Sequence, residues 1–146
     1  MPRGFSLLEV LFGTTILTVS VMSLAQLLAV STRANASART SASAALLAAQ
    51  KIEQLRSLTW TFDASGERAG DTVPGGAIDR DVDGYVDWLD AGGRAAVQTN
   101  AAFVRRWSIT PMSTDPDMLV FQVNVASAGF RRADAHIVAV KARRSR

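Results

Sequence analysis

From Val10 to Val30 the chain carries no charged residue, and Leu, Val, Ile, Ala and small hydroxyl residues dominate the run. At about 1.5 Å per residue these 21 positions cover roughly the 30 Å of a bilayer's hydrocarbon core, so the pattern predicts a membrane-spanning helix. A secretory signal peptide would have a shorter apolar core ended by a small-x-small cleavage site. Here the helical pattern continues. The following stretch, STRANASARTSASAALLAAQKIEQLRSL, is alanine-rich, lacks Gly and Pro, and places Ala45, Ala48, Ile52 and Leu55 at helical spacing on one side. Gly13 is the only glycine between Phe5 and Ser65, and no proline falls between Pro2 and Pro74. The expectation is one helix from Phe5 to Leu58, transmembrane over 5–30 and amphipathic over 31–58, whose second half needs a partner surface.

That partner is legible further on. Thr59-Trp60-Thr61-Phe62 is β-branched and aromatic, which ends the helix, and DASGERAGDTVPGG supplies loop chemistry. Three later runs read as strands: Phe103 to Thr110, Met118 to Ala126 and His136 to Ala142, the second with Leu119, Phe121, Val123 and Val125 on one face. Short, turn-rich connections favour an antiparallel meander. The expected fold class is α+β: a long N-terminal helix packed on a small antiparallel β-sheet, with residues 59–146 as a C-terminal β-domain and Trp107 and Phe121 in its core.

Charge divides the chain further. The formal net charge is +3, yet residues 63 to 90 hold eight acids (Asp63, Glu67, Asp71, Asp79, Asp81, Asp83, Asp87, Asp90) against Arg68 and Arg80. Within the resulting acidic loop, residues 63–94, the segment Asp79-Arg80-Asp81-Val82-Asp83-Gly84-Tyr85-Val86-Asp87-Trp88-Leu89-Asp90 has the D-x-D-x-D-G spacing of calcium loops, with acids at the ninth and twelfth positions. In one reading the carboxylates of Asp79, Asp81, Asp83, Asp87 and Asp90, with the Tyr85 carbonyl, converge on Ca2+ while Gly84 makes the sharp turn. Asp90 stands where such loops carry a Glu, and is one methylene shorter. In the other reading the segment is a solvated acidic turn followed by a short strand, Tyr85 to Leu89.

Enzyme chemistry finds no assembled support. The chain has no cysteine, one histidine (His136, in a strand run), no G-x-S-x-G elbow, no P-loop and no G-x-G-x-x-G. The basic pairs Arg105-Arg106 and Arg131-Arg132 and the tail Lys141 to Arg146 read first as solvated strand ends and a frayed terminus, and in the second reading as contacts to DNA phosphates or a surface.

Glu9 stands out. An ionised side chain in hydrocarbon costs about 2.5–3.5 kcal/mol, and the helix dipole returns only about 0.3–1 kcal/mol, so the acid either sits at headgroup depth or awaits a partner. The residues Gly4-Phe5-Ser6-Leu7-Leu8-Glu9-Val10-Leu11, after Met1-Pro2-Arg3, resemble the cleavage and methylation motif of type IV prepilins and type II secretion pseudopilins. Ala49 to Arg56 is similar to the helix end of minor pilins of the pilus-modification type and of some minor pseudopilins. The resemblance implies a leader, residues 1–4, cut by prepilin peptidase between Gly4 and Phe5, and N-methylation of Phe5. It further implies that Glu9 pairs with the terminal amine of a neighbouring subunit. Expected partners are other pilin or pseudopilin subunits and the inner-membrane assembly machinery. The expected location is the inner membrane, single-pass with the C-terminal domain outside the cytoplasm, and then a pilus or pseudopilus. Some members of that family fasten a loop with calcium where others use a disulfide.

Overall fold

The computed structural model describes residues 6–62, 68–129 and 133–142. Gly4, Phe5, Asp63, Glu67, Arg131, Arg132, Arg143, Arg144 and Arg146 lie outside the described residues. The chain divides into two compact units, Met1–Arg39 and Thr40–Arg146.

A single helix, α1 (Leu7–Ser57), accounts for the described part of the first unit and the start of the second. Within the first unit every described residue is exposed. Leu27 and Leu28, adjacent in sequence and about 100° apart around the helix, are each 68% exposed. Fully burying a leucine side chain is worth about 1.5–3 kcal/mol, so a surface this apolar on all sides calls for an apolar solvent. The polar side chains of the run are adapted to one. Thr15, Thr18, Ser20 and Ser23 each donate their hydroxyl to the carbonyl four residues back, at 2.7–2.9 Å, and Thr14 shares its hydroxyl between the Val10 and Leu11 carbonyls. A hydroxyl with its hydrogen already placed brings no unmet donor into hydrocarbon. Among the described residues this is the helix long and apolar enough to cross a membrane.

Thr40 opens the second unit, and there the helix becomes sided. Its buried face is Ala44, Leu47, Ala48, Lys51, Ile52 and Leu55, the three-and-four spacing of an amphipathic helix. Ala45, expected on that face, is exposed; the stripe runs through Ala44 and Leu47 instead. Burial also starts later than expected, since all of Ser31 to Arg39 is exposed. Ala44 and Ala48 are completely buried and join the core cluster with Leu47, Ile52 and Leu55.

The sheet has five antiparallel strands. β5 (Phe103–Met112), β6 (Asp115–Ser127) and β7 (Ala135–Ala142) form the meander, with β6 central. The other edge of β5 is shared by two short strands: β4 (Val86–Leu89) pairs with its first half, and β3 (Gly75–Gly76) with Ser108 and Ile109. β1 (Thr61–Phe62) and β2 (Arg68–Ala69) make a separate two-stranded ribbon. Alternation along β6 puts Leu119, Phe121, Val123 and Val125 in the core, each 0–1% exposed, against Trp107 and Ile109 of β5 and Ala139 of β7. One glycine is demanded by closeness. At Gly76 (φ +81°) a β-carbon would collide with the Trp107 carbonyl and the Tyr85 ring.

The helix ends where its sequence loses helix formers. Leu58 N–H donates to the Leu55 carbonyl at 3.3 Å in a last tightened turn. The freed carbonyls of Arg56 and Leu58 both accept from Lys141 Nζ on β7. A cation at a helix C-terminus satisfies both the orphan acceptors and the dipole.

Candidate functional site

Two places carry the chemistry singled out in the sequence. The first is the start of α1. Glu9 lies in the opening turn, exposed, its N–H donating to the Ser6 carbonyl at 3.0 Å, and that carbonyl also accepts from Val10 N–H at 3.2 Å. Among the described residues its carboxylate makes no ion pair. The acid therefore stands at the N-terminal end of a run that is charge-free to Val30, with its side chain free to meet another chain.

The second is the acidic loop, and its carboxylates do not converge. Gly84, at φ +80°, does make the sharp turn, closed by Tyr85 N–H on the Val82 carbonyl at 2.9 Å. From Val86 onward, however, the chain extends as β4 and cannot wrap an ion. Residues in a strand advance about 3.3 Å each, so Asp87, inside β4, and Asp90, just past its end, are set roughly 10 Å apart along the chain. The Tyr85 carbonyl accepts from Trp107 N–H at 3.1 Å, in line with the strand pairing. Asp90 Oδ1 accepts from Gly92 and Arg94 N–H groups at 2.8 and 2.9 Å, closing its own turn. Asp81 accepts from Arg106 Nε at 2.7 Å, and Asp79 and Asp83 are exposed. Among the described residues no group of three or more His, Cys, Asp or Glu is placed to hold a metal ion. This donor set does not fit Ca2+; of the two sequence readings, the turn followed by a short strand matches the structure, with the strand at Val86–Leu89.

Asp87 is partnered instead by protein cations. Asp87 Oδ2 accepts from Lys51 Nζ at 3.2 Å, Arg105 Nη2 at 2.6 Å and Arg105 Nε at 3.1 Å, while Arg105 Nη1 donates to the Leu47 carbonyl at 3.0 Å. One carboxylate thus joins α1, β4 and β5. Lys51 Nζ also sits 3.4 Å from the centre of the Trp107 ring, a cation–π contact. The Lys51 and Arg105 side chains are only 9% and 11% exposed, against 32% for Asp87. Desolvation pushes the Lys51 ammonium below the ordinary lysine pKa, outweighing the attraction of Asp87, and the nearby Arg105 adds to the lowering.

Sequence reasoning missed this cluster, although two signals pointed to it. Lys51 interrupts an otherwise apolar stripe, and Arg105-Arg106 puts consecutive cations on opposite faces of one strand. Both arginines are engaged inside the unit, Arg105 with Asp87 and Arg106 with Asp81. Neither is a solvated strand end. His136, on β7, is exposed and stands in register with Asn124.

Fold and site together define an α+β chain with one helix long and apolar enough to span a membrane and a β-sheet unit closed by internal ion pairs. No family model matches the chain, and no curated protein or solved structure matches it.

Proposed function

We propose that this chain is a structural subunit of a type IV pilus or pseudopilus, anchored in the inner membrane before assembly. Prepilin peptidase cuts it between Gly4 and Phe5, Phe5 is N-methylated, and the helix then packs against those of other subunits. The observation that carries this reading is the state of α1 up to Val30. It is apolar and exposed on every side, and Glu9 stands ion-paired to nothing among the described residues. An acid in that position is costly for an isolated anchor and favourable once a second chain brings an amine, because a charge pair gains far more in a dry bundle than in water. The sided helix and β-sheet of Thr40–Arg146 supply the globular part that such a subunit displays. The resemblance to pilus-modification minor pilins at Ala49 to Arg56 favours a minor rank.

Mass spectrometry of the membrane-assembled protein tests the reading directly. A first residue of N-methylated Phe5 in the wild type, and a retained leader in Gly4→Val, are the expected results. A functional wild type that keeps Met1 to Gly4 sinks it. The alternative function, a filament-displayed binding module for DNA or a surface through the basic patches, loses two of its arginines, since Arg105 and Arg106 are spent on Asp87 and Asp81.

A further inference from the structure

The Lys51–Asp87–Arg105 cluster is unbalanced. Two buried cations share one carboxylate, and among the described residues neither has another acidic partner. Lys51 uses one of its three donors on Asp87 and presents another side to the Trp107 ring; Arg105 spends Nε, Nη1 and Nη2 while keeping donors to spare. A cavity of about 440 Å³ opens beside them, lined by Lys51, Arg105, Asp87, Gln54, Ala95 and Ala96 among others. That volume would hold roughly fifteen waters at about 30 Å³ each, more than hydration of one ammonium group needs and enough for a side-chain-sized guest. Its walls offer surplus positive charge, the Gln54 amide and the small side chains of Ala95 and Ala96.

We infer that this cavity is a binding site for a single carboxylate group, which pairs with Lys51 and the unused Arg105 donors. A second carboxylate brings the cluster to two cations and two anions, and charge-assisted hydrogen bonds in a partly dry pocket are the strong kind. A cation kept where burial disfavours its charged form is then explained by what it binds. The inference does not depend on the filament reading, because the site lies wholly within Thr40–Arg146. The carboxylate comes either from a free acid or from an acidic side chain of a second copy, and these sources separate experimentally.

The probe is sodium acetate, set against sodium chloride at equal ionic strength, with thermal unfolding of the full chain in neutral detergent followed by tryptophan fluorescence. Acetate should raise the wild-type midpoint by about 2–4 °C in a saturable way. Gln54→Glu sets a carboxylate three residues from Lys51 on the same helix face, and so carries its own occupant. That variant should melt higher than wild type and lose the acetate response, whereas Gln50→Glu, the same charge change at an exposed position outside this cavity, should keep it. Lys51→Met, which retains the buried stem, should also lose the response. No acetate-specific rise in the wild type, or an equal rise in Gln54→Glu, overturns the inference. Sedimentation in density-matched detergent then assigns the source: self-association weakened by Gln54→Glu marks the carboxylate as a second copy's, and unchanged association marks it as a free acid's.

Discussion

Leu27 and Leu28 are exposed alike, but Leu46 and Leu47, also neighbours in α1, are 73% and 8% exposed. One secondary structure thus serves two purposes. From Leu7 to Arg39 no side of the helix is buried, the pattern a helix crossing a bilayer would show. In Thr40–Arg146 a single sheet offers burial from one side, and the residues divide accordingly. Sidedness therefore separates the two stretches where a pair of neighbouring leucines does not, since each stretch has one.

The comparison can be broken most forcefully at the packed end. Phe121→Ala empties a fully buried site and should cost about 3–5 kcal/mol, read from urea unfolding of the full chain in detergent by tryptophan fluorescence; a loss below about 1 kcal/mol would contradict the core. At the other end, Leu17→Arg should leave that unfolding curve in place and instead cost about 2.5–3.5 kcal/mol of insertion, seen as protein released by carbonate extraction. Leu47→Ala should destabilise by about 2–3 kcal/mol, while Leu46→Ala stays within about 0.5 kcal/mol, a contrast that equal effects would erase. Asp87→Asn removes the one anion from two buried cations and should cost about 2 kcal/mol, less than a fully buried pair because a third of the Asp87 side chain is exposed.

The smallest effect concerns pH. Lys51 titrates below 10.5 in the folded chain, so between that lowered value and 10.5 the unfolded chain binds more protons and stability rises with pH. The gain is complete above 10.5 and lost as pH falls through the folded value. Subtracting the Lys51→Met curve from the wild-type curve should isolate this rise, and parallel curves would remove Lys51 from the cluster's energetics.

What could be read in advance followed from local periodicity. The helix, the three meander strands and the buried set Leu119, Phe121, Val123 and Val125 each express a repeat of 3.6 or 2 within one segment. The Ala45 error arose on the same basis: alanine is neutral enough to fit either side, so its face was settled by Leu47 and the sheet. The loop is the instructive failure. Its D-x-D-x-D-G spacing is local, but the partners of Asp81 and Asp87 lie 25, 18 and 36 residues away, in β5 and α1. No local pattern distinguishes a carboxylate that awaits a metal from one that an arginine on another strand will claim. Likewise β3 is only Gly75–Gly76, too short to carry any alternation.

Lys141 closes the α1 terminus from 83 and 85 residues downstream. The helix is local in sequence, yet its Arg56 and Leu58 carbonyls take their donor from a strand that must itself first pair with β6. The meander can close hairpin by hairpin, whereas joining it to the helix requires the longest loop in the unit. The fold of Thr40–Arg146 thus depends on a contact between the first element of the unit and the last described strand, across most of its length.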